Sequence, residues 1–313
     1  SEMCIRDSFE TFGDQVLQIT PCVLMSPASV ARFLPAQGIR FDTVIFDEAS
    51  QIRVADAIGA LGRADSAVVV GDSQQMPPTS IFGPSSAADD DAELGAADQE
   101  SILSEAVASG VEQRWLSWHY RSQDDSLISF SNRRYYRSRL AIFPAPPEHR
   151  PGYGIDVVPV GGQYDHGGTR TNPAEAEAIV AEISRHLSSD PDVSIGVITF
   201  NVQQRDLILD LLERSKHRLI QEALLRDVDP LFVKNLENVQ GDERDIILFS
   251  LAFSRKADGG ELPMNFGPLN NAGGERRLNV AITRARRAVR LFTSLRASEL
   301  DLSRARSELS LIH

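Results

Sequence analysis

The chain has 313 residues, 42% of them hydrophobic and 24% charged, with a net charge of −12 and a pI near 5.0. This is ordinary globular composition, long enough for one or two domains. The acidic balance argues against wrapping duplex DNA through bulk positive charge, though a narrow single-strand channel needs only local basic and aromatic lining. Two cysteines, Cys4 and Cys22, exclude a disulfide framework. No apolar run approaches the roughly 20 residues of a membrane span and no signal-peptide pattern is present, so the expectation is a cytoplasmic protein that does not engage membranes.

Both ends look foreign to the fold. Glu2–Ser8 (EMCIRDS) and Leu309–His313 (LSLIH) match translations of a transposon mosaic end and its reverse complement. Residues 1–8 and 309–313 are therefore expected to be adapter-like, and Cys4 not native. Pro21–Met25 predicts a strand, and Ser26-Pro27 an N-cap with proline at the first helical position, opening a helix through Val30 to Leu34. Thr43–Phe46 and Ala67–Val70 have the length and β-branched content of strands buried on both faces of a parallel sheet. Each ends in acid: Asp47-Glu48 after the first, Gly71-Asp72 after the second. Carboxyl ends of neighbouring strands are where open α/β sheets bind ligands.

Gly83–Asp98 reads as a surface loop whose acids are solvated. Gln99–Ala108 reads as a helix capped at Gly110, and the boundary between two domains is placed there, giving 9–110 and 111–308. A strand ending at Trp118 presents His119, Tyr120 and Arg121. Gln123–Tyr136 has helical spacing, with Arg133, Arg134, Arg137 and Arg139 towards its end, where basic residues also suit the helix dipole. Pro144–Gly154 is a connector. Ala174–Leu187, Val193–Phe200 and Gln203–Arg214 read helix, strand, helix, a βα unit of a second parallel sheet. A polar loop, Val233–Asp245, leads into the strand Ile246–Leu251. The loop Gly259–Gly274 precedes a helix over Arg276–Arg287, which puts Arg277, Arg284 and Arg287 near one stripe, and then a final strand Ala288–Thr293. His119, His149, His166, His186 and His217 show no metal-ligand spacing with one another or with Cys22, so no zinc site is expected.

The chemistry that Asp47-Glu48 suggests is phosphoryl transfer to water. A strand-end Asp can hold Mg²⁺ on a nucleotide's phosphates while its neighbour orients the attacking water. An isolated pair is also compatible with a solvated strand end. Gln75 followed by the rigid polar loop Pro77–Ser80 after the second strand makes the combination specific; Arg121 stands where a cation reaching a phosphate is wanted, although taken alone it reads as a surface salt-bridge partner.

These motifs resemble those of superfamily 1 helicases, in the branch that includes the nonsense-mediated-decay helicase. Asp47-Glu48-Ala49-Ser50-Gln51 resembles their Walker B motif, and Gly71-Asp72-Ser73-Gln74-Gln75-Met76-Pro77-Pro78 their motif III. His119-Tyr120-Arg121 is similar to their Gln-Tyr-Arg motif. Gln240-Gly241-Asp242-Glu243 resembles motif V, and Arg276–Arg287 motif VI. Ile198–Gln204 resembles a Thr-Pro-Tyr strand end with a Gln beyond, from which Phe200 and Asn201 depart. The resemblance implies two RecA-like parallel-sheet α/β domains of the P-loop NTPase fold, the first truncated at its N-terminus.

It also implies ATP and Mg²⁺ as cofactors, with Asp47 on the metal, Glu48 as general base, and Gln75 sensing the γ-phosphate. Arg121 and Arg284 become arginine fingers, Asp72, Gly241 and Glu243 nucleotide contacts, and Ser26, Pro78, Thr79 and Gln240 nucleic-acid contacts. The implied partner is single-stranded nucleic acid, DNA favoured over RNA, together with other domains of a longer bacterial chain. The implied activity is ATP-dependent translocation, 5′-to-3′. Alternatives are an ATPase that remodels protein–nucleic acid complexes without unwinding, and a non-enzymatic binding module. The lysines Lys216, Lys234 and Lys256 do not form the Gly-x-x-x-x-Gly-Lys-Ser/Thr loop such an ATPase needs, so that loop is expected upstream and the fragment alone is expected to be inactive.

Overall fold

The computed structural model describes residues 2–35, 37–78, 101–145, 151–255, 262, 266–270 and 273–299. The chain divides into two compact units, Ser1–Trp115 and Leu116–His313. The sequence boundary after Gly110 lies five residues before this division. No helix among the described residues is long and apolar enough to cross a membrane.

In the first unit, α1 (Glu2–Ile19) includes residues set aside from the sequence reading and departs from helical geometry at Phe12. Pro21–Met25 is not a strand. Pro21 has no N–H to donate, no described strand pairs with the segment, and Leu24 is fully exposed. The expected cap does form: Ser26 Oγ accepts the Ser29 N–H at 3.2 Å and opens α2 (Pro27–Phe33). Next come β1 (Phe41–Phe46), α3 (Val54–Leu61) and β2 (Ala64–Val69), the two strands pairing in parallel with Val44 opposite Ala67 and Phe46 opposite Val69. Phe46, Val44 and Val69 face a core with Ala49, Ala57, Ala60 and Ile102. The opposite face is open, with Ile45 66% exposed. The expectation of burial on both faces fails here because this sheet has only two described strands and a core on one side.

α4 (Ile102–Ala108) starts three residues later than expected. Ser101 Oγ accepts the Ser104 N–H at 3.0 Å while Ser104 Oγ accepts the Ser101 N–H at 2.9 Å, a capping box that fixes the first turn. Beyond its cap, Gly110 takes a φ of 74° that lets Val111 N–H reach Ala106 O at 3.1 Å and closes the helix end. The expected loop Gly83–Asp98 lies outside the described residues.

In the second unit, β3 (Trp118–His119) pairs in parallel with β4 (Ala141–Ile142), flanking α5 (Ser126–Arg134). The main sheet is built from β5 (Gly154–Pro159), β6 (Ile195–Thr199), β7 (Phe232–Asn235), β8 (Arg244–Ser250) and β9 (Ala285–Thr293). Its order is β5-β9-β8-β6-β7 and every pairing is parallel. Between strands run α6 (Pro173–Ser189), α7 (Val202–Glu213), α8 (Arg218–Leu224) and α9 (Gly274–Ile282). Ile179, Ile183, Ile208, Leu212 and Ile220 of the helices pack on Val197, Ile246, Leu248 and Phe292 of the sheet. Ile198, Ile247 and Phe249 are buried too, so these central strands are covered on both faces, as continuous apolar runs require. Gly196 leaves the space into which the Phe232 ring fits; a Cβ there would collide with it.

Two expectations fail in this unit. β7 occupies the start of the expected loop Val233–Asp245, because its backbone pairs with β6 at the sheet edge. α8 and β5 had no forecast. The helix expected over Arg276–Arg287 stops at Ile282, and β9 begins at Ala285, because residues 285–292 pair with β8 in the sheet interior. Arg287 is therefore on a strand beside Asp245 at 3.4 Å, and the stripe of Arg277, Arg284 and Arg287 does not exist.

Candidate functional site

In the first unit the two acidic strand ends are clasped together. Val70 N–H donates to Phe46 O at 2.8 Å, and Ala49 N–H donates to Val70 O at 2.9 Å. Gly71 lies directly on the backbone after Glu48. A Cβ at this position would sit 3.0 Å from Ser50 N and 3.1 Å from Ala49 N, so any side chain there would press on this backbone. Glu48 is held in the left-handed region, at φ 50° and ψ 39°, a conformation that costs a non-glycine residue about 1–3 kcal/mol. Its N–H donates to Asp47 Oδ1 at 2.9 Å, and Gln51 Nε2 donates to its Oε2 at 3.5 Å.

Asp72 organises the second loop by accepting the Gln74 N–H at 2.8 Å and Gln75 Nε2 at 3.0 Å. That leaves Gln75 Oε1 buried with no hydrogen-bond donor among the described residues. An exposed Asp47, a half-buried Glu48 and this unused carbonyl oxygen are all hard oxygen donors. They fit Mg²⁺, which takes one or two carboxylates and completes its shell with phosphates and water. The described residues hold no cluster of three or more metal-ligating side chains of the kind that binds zinc. Pro78 is buried, Ser26 is exposed with its hydroxyl engaged in the α2 cap, and Thr79 lies outside the described residues.

In the second unit, residues far apart in sequence converge on Thr283. Arg121 Nη1 donates to the Thr283 carbonyl at 3.5 Å, while Arg284 Nη2 donates to the Thr283 hydroxyl at 3.2 Å. Arg121 Nε also donates to Glu243 Oε2 at 2.6 Å. Arg284 is only 1% exposed, with its Nε on Val280 O at 2.8 Å. The segment carrying Arg121 is tied to β9 by Gln123 N–H on Arg286 O at 2.7 Å.

His119 belongs to the same cluster. Burial first, then the nearby charges of Arg121 and Arg284, lower its pKa to about 4. Its Nε2 accepts the Ser122 N–H at 3.2 Å, which places the ring proton of the neutral form on Nδ1. Behind Glu243, Arg286 lies 3.9 Å from its other oxygen and pairs with Asp229. Gln240 is half-buried and Gly241, at φ 85°, forms an exposed turn steadied by Lys234 Nζ on Asp242 Oδ2 at 2.6 Å.

Sequence reasoning missed Thr283 and a buried polar network at the carboxyl ends of β8 and β9. Glu175 Oε2 accepts the Ala252 N–H at 2.7 Å and the Ser250 hydroxyl at 3.0 Å, and Oε1 accepts the Ser294 hydroxyl at 2.8 Å. Burial raises the Glu175 pKa. Asn172 Nδ2 donates to Ala252 O at 2.9 Å, so both polar groups of Ala252 are gripped and its left-handed φ of 65° is fixed. Gln204 Nε2 donates to Asn172 O at 3.1 Å and to Ser250 Oγ at 3.0 Å. The available signal was Asn172-Pro173-Ala174-Glu175, which combines an N-cap, a first-turn proline and an acid at the third position. Of the residues departing from the strand-end motif, Phe200 is buried and Asn201 caps α7, accepting the Gln204 N–H at 2.7 Å.

Residues 99–296 match the family described as AAA domain. Over 306 residues the chain is 34% identical to a protein named uncharacterized ATP-dependent helicase MG140 of Mycoplasma genitalium, covering 94% of this chain and 26% of that protein. It is 28% identical over 280 residues to helicase sen1 of Schizosaccharomyces pombe, covering 84% and 15%. It is 28% identical over 316 residues to the human DNA replication ATP-dependent helicase/nuclease DNA2, covering 88% and 26%. The chain thus spans about a quarter or less of the length of these relatives.

Proposed function

Because the chain belongs to the AAA domain family and is a superfamily 1 helicase-like region of RecA-like α/β fold, we propose that it is the part of an ATP-dependent helicase that carries the water-activating and charge-neutralising residues. The observation that carries the reading is the convergence of Arg121 and Arg284 on Thr283. Two guanidinium groups brought together at a strand end suit the charge that spreads over a transferring phosphoryl group.

In this account Asp47 binds Mg²⁺ and Glu48, held in its left-handed turn, takes a proton from the attacking water. Gln75 offers its buried carbonyl oxygen to that water. A Mg²⁺ ion bound with ATP would be held by the Asp47 carboxylate and would supply positive charge against the negative charge that develops in phosphoryl transfer. Asp72 is a positioning residue, since its carboxylate is spent on Gln74 and Gln75. Glu243 holds Arg121 in place. Gly241 and Gln240 form the turn whose backbone meets nucleic-acid phosphates, and Ser26, Pro78 and Thr79 complete the contacts to a single strand, DNA favoured over RNA. Movement is 5′-to-3′. The activity belongs to the complete helicase, in which a phosphate-cradling loop completes the site.

The test separates the two acids in the complete helicase. Glu48→Gln retains Mg-ATP binding and loses turnover, whereas Asp47→Asn weakens Mg²⁺ binding as well. Equal loss of nucleotide binding in both variants would show that the two roles are misassigned.

A further inference from the structure

One patch of the second unit takes no part in the site above. On the short β3·β4 ribbon Trp118 is paired with Ala141, and Phe143 lies two residues beyond Ala141, so both rings project from the same face. Their centroids are 5.4 Å apart at an interplanar angle of 33°, yet each is 62% exposed. Leu116 and Tyr120, two residues to either side of Trp118, are exposed as well. A row of large rings left in water is costly unless something covers it.

The charge beside it names the occupant. Between Ser126 and Pro147 the sequence holds four arginines and no aspartate or glutamate, in a chain whose net charge is −12. A tight turn gathers them. Asn132 Nδ2 donates to Leu140 O at 3.1 Å and Asn132 Oδ1 accepts the Leu140 N–H at 3.0 Å, while Arg137 and Ser138 take left-handed φ values of 54° and 57°. Arg137 and Arg139 thereby lie in a tight turn that follows directly on Arg133 and Arg134 at the end of α5. All four are exposed, and no ion pair among the described residues engages Arg133, Arg134 or Arg137. From Leu140 to Phe143 is three residues, about 10 Å of extended chain. Exposed rings that stack flat bases, flanked by cations that follow a phosphate backbone, are the two elements of a sequence-tolerant single-strand site.

We propose that the Trp118–Phe143 pair and the Arg133–Arg139 turn form a stacking platform for single-stranded nucleic acid, separate from the Gln240-Gly241 turn. This rests on the reading of the chain as a helicase region and adds a second point of contact with the strand. The bases stack on Trp118 and Phe143, and the arginines neutralise the phosphates between them.

The experiment titrates this chain with a fluorescent oligothymidylate of about 12 nucleotides, at several salt concentrations and beside a duplex of equal length. Folding of each variant is checked by circular dichroism. Phe143→Ala and Trp118→Ala should each weaken binding about 5- to 150-fold, the range that loss of one stacked base produces. Arg133→Gln and Arg134→Gln, which lie off the ribbon, should each reduce the slope of log K against log salt by about 0.7. Binding by the parent with unchanged affinity and slope in all four variants would overturn the platform while leaving the helicase reading intact. So would equal affinity for the duplex, or a Trp118-dependent dimer in sedimentation, which would make the patch an interface between copies. No binding by the parent would overturn the platform and remove the nucleic-acid half of the broader reading.

Discussion

Arg121 Nε donates to Glu243 Oε2 at 2.6 Å, an ion pair between residues 122 positions apart. Both side chains are about a third exposed, Arg121 at 32% and Glu243 at 40%. Arg284, on the other side of Thr283, is buried. The two arginines thus share a neighbour but differ in how much the fold depends on them.

That difference predicts stability losses of different size in this chain. Arg121→Ala removes a partly exposed ion pair and should cost about 0–1 kcal/mol. Arg284→Ala removes charged donors buried against Val280 O and Thr283 Oγ1 and should cost about 2–3 kcal/mol. Urea unfolding midpoints check the ranking. Equal midpoints for the two variants would mean that Arg284 contributes nothing to packing.

The low pKa of His119 gives a pH dependence. Unfolded His119 takes up its proton near pH 6.5 and folded His119 only near pH 4, so in that interval the unfolded state binds more protons and stability rises with pH. The stabilising contribution of neutral His119 is present above pH 6.5 and is lost as pH falls towards 4. Glu175, whose pKa burial raises, acts in the opposite sense as pH rises above its ordinary 4.5, so the comparison must be with a variant and not with pH alone. The parent should lose more stability than His119→Gln between pH 7 and pH 4.5, measured by urea unfolding at each pH. Parallel profiles would contradict the assignment of His119 as the neutral member of the arginine cluster.

Much of this was legible in the sequence because some signals are local. A β-branched run that stops at Asp47-Glu48 or Gly71-Asp72 states both the strand and its end. Ser26-Pro27 and Gly110 state helix limits through capping chemistry that needs no tertiary partner. What failed depends on partners distant in sequence. The spacing of Leu278, Ala281, Ile282 and Ala285 fits a helix, but Ala285 opposes Arg244 in the sheet, and pairing outweighs the pattern. Ile45 and Val68 have strand-core character but lie on a face with no described neighbour, which no single strand can announce. The Glu175 network was invisible for the same reason. Its partners Ser250, Ala252 and Ser294 sit 75 or more residues away, and only the topology brings the ends of β8 and β9 to the start of α6.

Whether Arg121 is an arginine finger or only half of a surface ion pair is decided by ATP turnover in the complete helicase carrying Arg121→Ala. A finger is worth roughly 10³ to 10⁵ in turnover, whereas an exposed pair affects stability alone. If Arg121 is a finger, its loss lowers turnover by at least about a thousandfold, with nucleotide binding and the unfolding midpoint nearly unchanged. Turnover within about tenfold of the parent, a loss of only about 1.4 kcal/mol in the barrier, would contradict it and leave Arg121 as a structural partner of Glu243.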